Sequence, residues 1–432
     1  MALCFCPGTS ARADDRSVSP EQFKQLLEEN KQLQQQLRHQ QEVIESLAGK
    51  VNRLEQHAQT AGSDDQLSSN TSHSPARAAF DSTFGKLSIS AEGGVGLFNT
   101  GSAGFSPHAE FRVDEAKLFI EAPVWNHVYF FSEINFATRE QPDVTLELGE
   151  CYLDFESVSA LWNRDHVLNI RLGRMDIPFG EEYQSRDVID NPLISHSLTD
   201  FWGVDEGIEL YGKIGPVRYV VAAQNGGISD TRDFNPDKSV AGRLAYEPLR
   251  WLHLSVSGMR TGDLDAQQDQ LSALWFGNAF IRSLGSSGTT KFHANLVEGD
   301  ISVWLPHGHV SAFGGYLRYQ DNDPVGHNGR DLYFYSIEGI HDVVGKLYAG
   351  ARFSQIFAPK GFPISGNGDM GNYFLNPFAL TKEMWRLSLG LGYRFNQNLL
   401  LKMEYTFEHG REQSGANRDH EDMFALEAAY KF

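Results

Sequence analysis

The chain has 432 residues, 12% of them aromatic, with 41 glycines and a formal charge of −19. That excess of acid argues against nucleic acid as a partner, because holding a phosphate backbone needs a surplus of Lys and Arg. No run of about 18 apolar residues occurs, which excludes a transmembrane helix but not membrane-crossing strands, each of which needs only about 9–11 alternating residues.

Residues 1–13 read as a truncated signal-peptide remnant. Ala11-Arg12-Ala13 is a small-x-small cleavage motif followed by Asp14-Asp15, although the apolar stretch before it is short. Cleavage there would remove Cys4 and Cys6 and leave Cys151, so no disulfide is expected. Cys4-x-Cys6 has no His or Cys cluster at ligand spacing, and neither a metal nor a cofactor is expected.

Residues 14–56 are a different kind of protein. Phe23, Leu26, Asn30, Leu33, Leu37, Gln40, Ile44, Leu47, Val51 and Leu54 recur at three- and four-residue steps, and Ser19-Pro20-Glu21 is a fair helix start. This is the a/d seam of a coiled coil. A seam two positions in seven wide favours self-association, and Asn30 and Gln40 within it fix register. The alternative is one amphipathic helix lying on a surface. Residues 57–84 turn to Ser, Ala, Asp, Thr, Asn and His with no apolar period, the composition of a flexible linker.

From residue 85 to 432 the chain alternates again and again. Sixteen strands are expected, from 86–97 through 421–432. Leu387, Leu389, Leu391, Tyr393 and Phe395 stand against Arg386, Ser388 and Arg394, and the last strand sets Phe424, Leu426, Ala428, Tyr430 and Phe432 against Met423, Ala425, Glu427, Ala429 and Lys431. The connections alternate in length, short as at Gly215-Pro216 and Asn396-Gln397, long as at 261–290 and 358–382. A sandwich has no reason to sort loop length by strand parity. The pattern predicts an all-β fold, a 16-stranded antiparallel transmembrane barrel with short periplasmic turns and long outer loops.

The longest connection runs from Met175 to Glu206. Its Ile177, Phe179, Val188, Ile189, Leu193, Ile194, Phe201 and Trp202 argue against a solvated loop, and a segment of this length is usually functional or disordered. It is expected to fold into the barrel and constrict it; the alternative is a loop packed over the mouth. By strand alternation Lys117, Arg171, Arg243, Arg318, Arg352, Arg386 and Arg394 point inward. Glu181, Glu182, Arg186 and Asp187 lie on the constriction, and Arg174 joins them if the chain bends at Gly173. Inward acids are about as numerous as inward bases, an arrangement that can set up a field across the lumen.

Leu172 to Glu182 (LGRMDIPFGEE) and Ser185 to Leu193 (SRDVIDNPL) resemble the strand-plus-constriction segment of the phosphate-selective porin O and P family. Glu206 to Pro216, Gln224 to Gly227 and Val240 to Leu244 resemble it too, and the heptad prefix is similar to the branch of dicarboxylic-acid porin-like proteins that carries a coiled coil. The resemblance implies a trimeric sixteen-stranded channel taking up small, mostly anionic solutes. Phosphate channels of that family line the pore with bases; the matching segment here also holds Glu181, Glu182, Asp187, Asp190 and Asp200.

Ser195-His196 and His307-Gly-His309 are examples of weak catalytic candidates, and no G-x-S-x-G or HExxH motif occurs. The expectation is a non-enzymatic outer-membrane porin, a homotrimer that allows small polar or anionic solutes, phosphate or carboxylates among them, to diffuse passively. Its partners would be itself, outer-membrane lipid, small solutes and periplasmic cell-wall components. A homotrimeric barrel would make the coiled coil three-stranded, although Ile44 and Val51 at a with Leu47 and Leu54 at d lean towards two strands. The rival readings are a tether that uses the barrel only as an anchor and, behind it, a barrel enzyme.

Overall fold

The computed structural model of the chain describes residues 87–432 except 103, 105, 140–144, 228–232, 234, 267–287 and 367–379. The signal remnant, the coiled coil and the linker lie outside the described residues.

The strands are β1 (Ser88–Asn99), β2 (Glu110–Trp125), β3 (Val128–Ala137), β4 (Glu147–Phe155), β5 (Asn169–Asp176), β6 (Val204–Ile214), β7 (Val217–Gln224), β8 (Ser239–Leu249), β9 (Leu252–Arg260), β10 (Leu264–Asp265), β11 (Lys291–Leu305), β12 (Gly308–Asp321), β13 (Arg330–Val344), β14 (Leu347–Pro363), β15 (Leu380–Asn396), β16 (Leu399–Glu412), β17 (Asn417–Arg418) and β18 (Met423–Lys431). β10 and β17 are two-residue ribbons beside β11 and β16. The other sixteen form one antiparallel wall, and β18 pairs with β1, Val95 opposite Ala428, which closes the barrel. Closure leaves no strand edge unpaired.

The wall is built inside out. On β16, Leu399, Leu401, Met403, Tyr405 and Phe407 are exposed on the outer face, while Leu400, Lys402, Glu404, Thr406 and Glu408 are buried inside. In water this would waste apolar surface; in a bilayer it is the stable arrangement. Trp125, Trp251, Tyr393 and Phe395 stand exposed near one end of the wall, where amphipathic rings suit a headgroup layer.

Connections of two residues join β2 to β3, β6 to β7, β8 to β9, β11 to β12, β13 to β14 and β15 to β16. The tight ones include left-handed residues, His127 (φ 56°) and Gly215 (φ 60°), which match the twist of the flanking strands. The link between β4 and β5 is longer and carries a 3-10 helix, Val158–Trp162. Strands extend further than alternation alone suggests: β14 continues to Pro363 and β15 begins at Leu380, because backbone pairing continues beyond the bilayer, where side-chain alternation no longer has to hold.

Candidate functional site: the loop inside the barrel

Residues 177–203, between β5 and β6, lie against the inner wall and are fastened there in two ways. The ends of the loop dock by apolar contact. Ile177, Phe179, Leu198 and Phe201 are buried among Phe292, Leu296, Leu317, Tyr319, Leu332, Phe334, Ile356 and Met384, all on strands of the wall. The Phe201 ring meets Phe334 edge to face at 4.6 Å. Val188 and Ile189 pack on Tyr348, Leu400 and Ala429, and Ile194 packs on Phe98, Met423 and Ala425. Leu193 sits in a socket made by two glycines: a Cβ on Gly390 would stand 2.5 Å from its Cδ2, and one on Gly350 3.1 Å away.

The middle of the loop is held by charge. Lys402 Nζ donates to the carbonyls of Val188 (2.7 Å) and Leu193 (3.0 Å) and pairs with Glu427 (2.9 Å). Arg139 donates to the carbonyl of Ile194 and pairs with Asp114. Arg352 donates to the Ser195 carbonyl (2.7 Å) and to Asn191 Oδ1 (3.1 Å), with Glu338 as its carboxylate (2.8 Å). Arg386 donates to the His196 carbonyl (3.0 Å) and pairs with Glu408 (2.5 Å). Running the other way, Glu404 accepts the amides of Ile194 and Ser195 (3.0 Å for the latter) together with the Ser195 hydroxyl, and Ser354 Oγ accepts from the amide of Leu198 (2.9 Å). An irregular backbone can be buried at membrane depth only if its N–H and C=O groups find partners, and these wall side chains supply them.

The charges expected on the constriction divide into pairs. Asp187 meets Lys117 (2.5 Å) across 70 residues of sequence. Glu181 accepts from His253 (2.9 Å) and lies 3.4 Å from Arg243, which also donates to the Gly180 carbonyl (2.8 Å). Burial by itself would push the Glu181 carboxyl up, but the His253 hydrogen bond and the Arg243 charge hold it below its usual range. Glu182 accepts the amide (2.8 Å) and hydroxyl (2.5 Å) of Ser197. Arg186 pairs with Asp200 within the loop and lies over the Trp202 ring at 4.2 Å. Arg171 sits between Asp154 (3.0 Å) and Glu209 (3.1 Å), with the Tyr152 and Tyr211 rings 5.0 and 4.4 Å away.

Two expected positions differ. Arg318 does not point inward: its neighbours Leu317 and Tyr319 are buried, while its own side chain is 53% exposed and stands 3.8 Å from Asp331. The inner wall is apolar here because the ends of the loop cover it, so apolar residues do not mark the outer face. Arg174 keeps the outward parity, opposite Cys151 and Glu206 in register, and pairs with Glu206 at 3.3 Å. Arg394 has inward parity near the short-turn end of β15, opposite Leu400 in register. Conversely, Arg139 and Asp114 fasten the loop without any alternation signal to mark them, and Glu404, an inward acid by strand parity, fastens it too. Glu404 was legible from the alternation of β16. Arg139 follows the end of β3, where parity gives no guide.

No family model matches the chain, and no curated protein matches it. Solved structures do. The outer membrane channel DcaP of Acinetobacter baumannii superposes with a TM-score of 0.52 at 13% identity, over 82% of this chain and 100% of that one. The anion-selective porin of Comamonas acidovorans gives 0.52 at 10%, over 80% and 98%. OmpT, an outer membrane protein of Vibrio cholerae, gives 0.51 at 12%, over 80% and 98%. At such identities the likeness is one of fold: residues 87–432 form a sixteen-stranded barrel of the outer-membrane porin type.

Proposed function

We propose that the chain is an outer-membrane porin, a channel through which small polar or anionic solutes diffuse passively. One observation carries the reading: a closed barrel with an apolar outside and a charged inside, whose longest described loop is bonded to the inner wall by Lys402, Arg352, Arg386 and Glu404. A barrel that served only as an anchor would have no use for a loop held at that depth. Phosphate and carboxylates are the solute classes suggested by the likeness to the phosphate-selective O and P family and its dicarboxylic-acid branch. Arg352, Arg386 and Lys402 are engaged on loop carbonyls, which supports a weak anion preference rather than a continuous basic ladder.

The same reading makes the protein a homotrimer in the outer membrane, with residues 14–56 as a periplasmic coiled coil and 57–84 as its linker. β1 begins beside the carboxy-terminus, Ala91 exchanging backbone hydrogen bonds with Phe432 (2.9 Å), at the short-turn end of the wall. In barrels of this kind that end faces the periplasm. The test is conductance of the purified full chain in planar bilayers. Stepwise openings in threes are expected, with a small anion-directed reversal potential in asymmetric salt. A folded protein that never conducts would leave the tether as the better reading. Removing residues 14–56 should leave a conducting trimer.

A further inference from the structure

Beside the loop, three carboxylates from separate stretches of chain converge. Glu92 comes from β1, Glu115 from β2 and Asp187 from the loop, and one oxygen of each lies within 4.8 Å of the others. Lys117 touches the group, 2.5 Å from Asp187 and 3.5 Å from Glu115. Its single charge offsets only one of three. Lys431, opposite Glu92 in register, is directed at Asp190 (3.8 Å). The second observation concerns Glu92 by itself. The residue is 5% exposed, and its Oε1 is buried with no hydrogen-bond donor. A buried carboxylate oxygen without a donor is costly, and here two other carboxylates face it.

We propose that Glu92, Glu115 and Asp187 bind a divalent cation, calcium by preference, which ties the loop to the β1–β2 wall. Three carboxylates offer up to six oxygens. Calcium accepts six to eight in irregular geometry, whereas magnesium demands a near-ideal octahedron and keeps its waters. The cation supplies the charge that Lys117 leaves unbalanced and a partner for Glu92 Oε1. It would also complete the fastening: basic side chains hold the loop backbone on the β14–β18 side, and a metal would hold Asp187 on the β1–β2 side. The inference does not depend on which solute passes or on whether the barrel conducts.

The experiment uses the full chain refolded in detergent without lipopolysaccharide, which itself binds divalent cations, and stripped with a chelator. Calorimetric titration with calcium chloride should show one saturable ion per chain, and calcium should raise the thermal unfolding midpoint. Glu92→Gln should weaken binding by about ten-fold or more and abolish that rise. Asp187→Asn, which leaves the barrel wall intact, should do the same. Glu156→Gln, an acid outside the cluster, should bind as the parent does and so controls for the protein's general negative charge. No saturable calcium in the parent protein would overturn the proposal and favour a proton shared between Glu92 and Asp187. Parental affinity in either Glu92→Gln or Asp187→Asn would overturn it as well.

Discussion

The inner wall receives the loop on two unlike surfaces. Around Phe292, Leu296, Leu317, Leu332 and Phe334 it is apolar and takes the ends of the loop. Along β14 to β18 it is charged, with Arg352, Arg386, Lys402 and Glu404 aimed at the loop backbone. Apolar burial gives energy but little register, since one methylene contact resembles the next. Charged hydrogen bonds are directional and fix which carbonyl meets which guanidinium. The loop therefore gains its adhesion from apolar contacts, the largest cluster of them at its ends, and its position from the charged bonds to its middle.

The largest effect should come from taking away the middle altogether. Deleting Tyr183 to Leu193 removes the segment whose Val188 and Leu193 carbonyls Lys402 holds. Single-channel conductance in planar bilayers should rise and ion selectivity flatten, and unchanged conductance would mean that the loop does not constrict the path. Arg352→Met comes next. It leaves Glu338 with only His309 (3.5 Å) and the Ser195 carbonyl with only the Asn191 side-chain amide (3.0 Å), and breaking a buried pair costs up to about 3–5 kcal/mol. A matching drop in denaturant stability with noisier open-channel current is expected; a change below about 0.5 kcal/mol would show the charged clamp to be dispensable.

Phe201→Ala tests the apolar side. The ring fills space against Phe334 and Phe179, and its loss should cost about 3 kcal/mol in the same unfolding measurement. If the two surfaces divide the work as described, this variant lowers stability while leaving reversal potential near the parent value, and a large selectivity change would blur the distinction. Ser354→Ala removes a single neutral acceptor from the Leu198 amide and should cost about 1 kcal/mol. Arg318→Gln is the smallest. Facing outward beside Asp331, it should shift stability by no more than about 0.5 kcal/mol and leave the reversal potential where it was. A shift towards cations would return Arg318 to the lumen.

The contrast between the two surfaces also explains which positions the sequence reveals. Along β16 and β18, outside is apolar and inside is charged, so period two assigns each residue a face: Leu401 and Met403 out, Lys402 and Glu404 in. Along the upper part of β11 to β13 both faces are apolar, because lipid covers one and the loop covers the other. Leu317 and Tyr319 then look like outer-face residues, and Arg318 is assigned to the wrong side. The pairing of Lys117 with Asp187, and of Arg139 with Asp114 and the Ile194 carbonyl, joins residues 70, 25 and 55 positions apart. No local period carries information over such separations.

By itself the sequence determined the all-β class, the sixteen wall strands, their antiparallel order and the sorting of long and short connections. These follow from local rules: side chains alternate in a strand, and short links force antiparallel neighbours. Tertiary structure alone decided what the inward charges do. Whether Arg352 or Arg386 faces solute or a loop carbonyl depends on where residues 188–198 come to rest, and that position is set by the apolar docking of the loop ends and by the need of a buried backbone for partners.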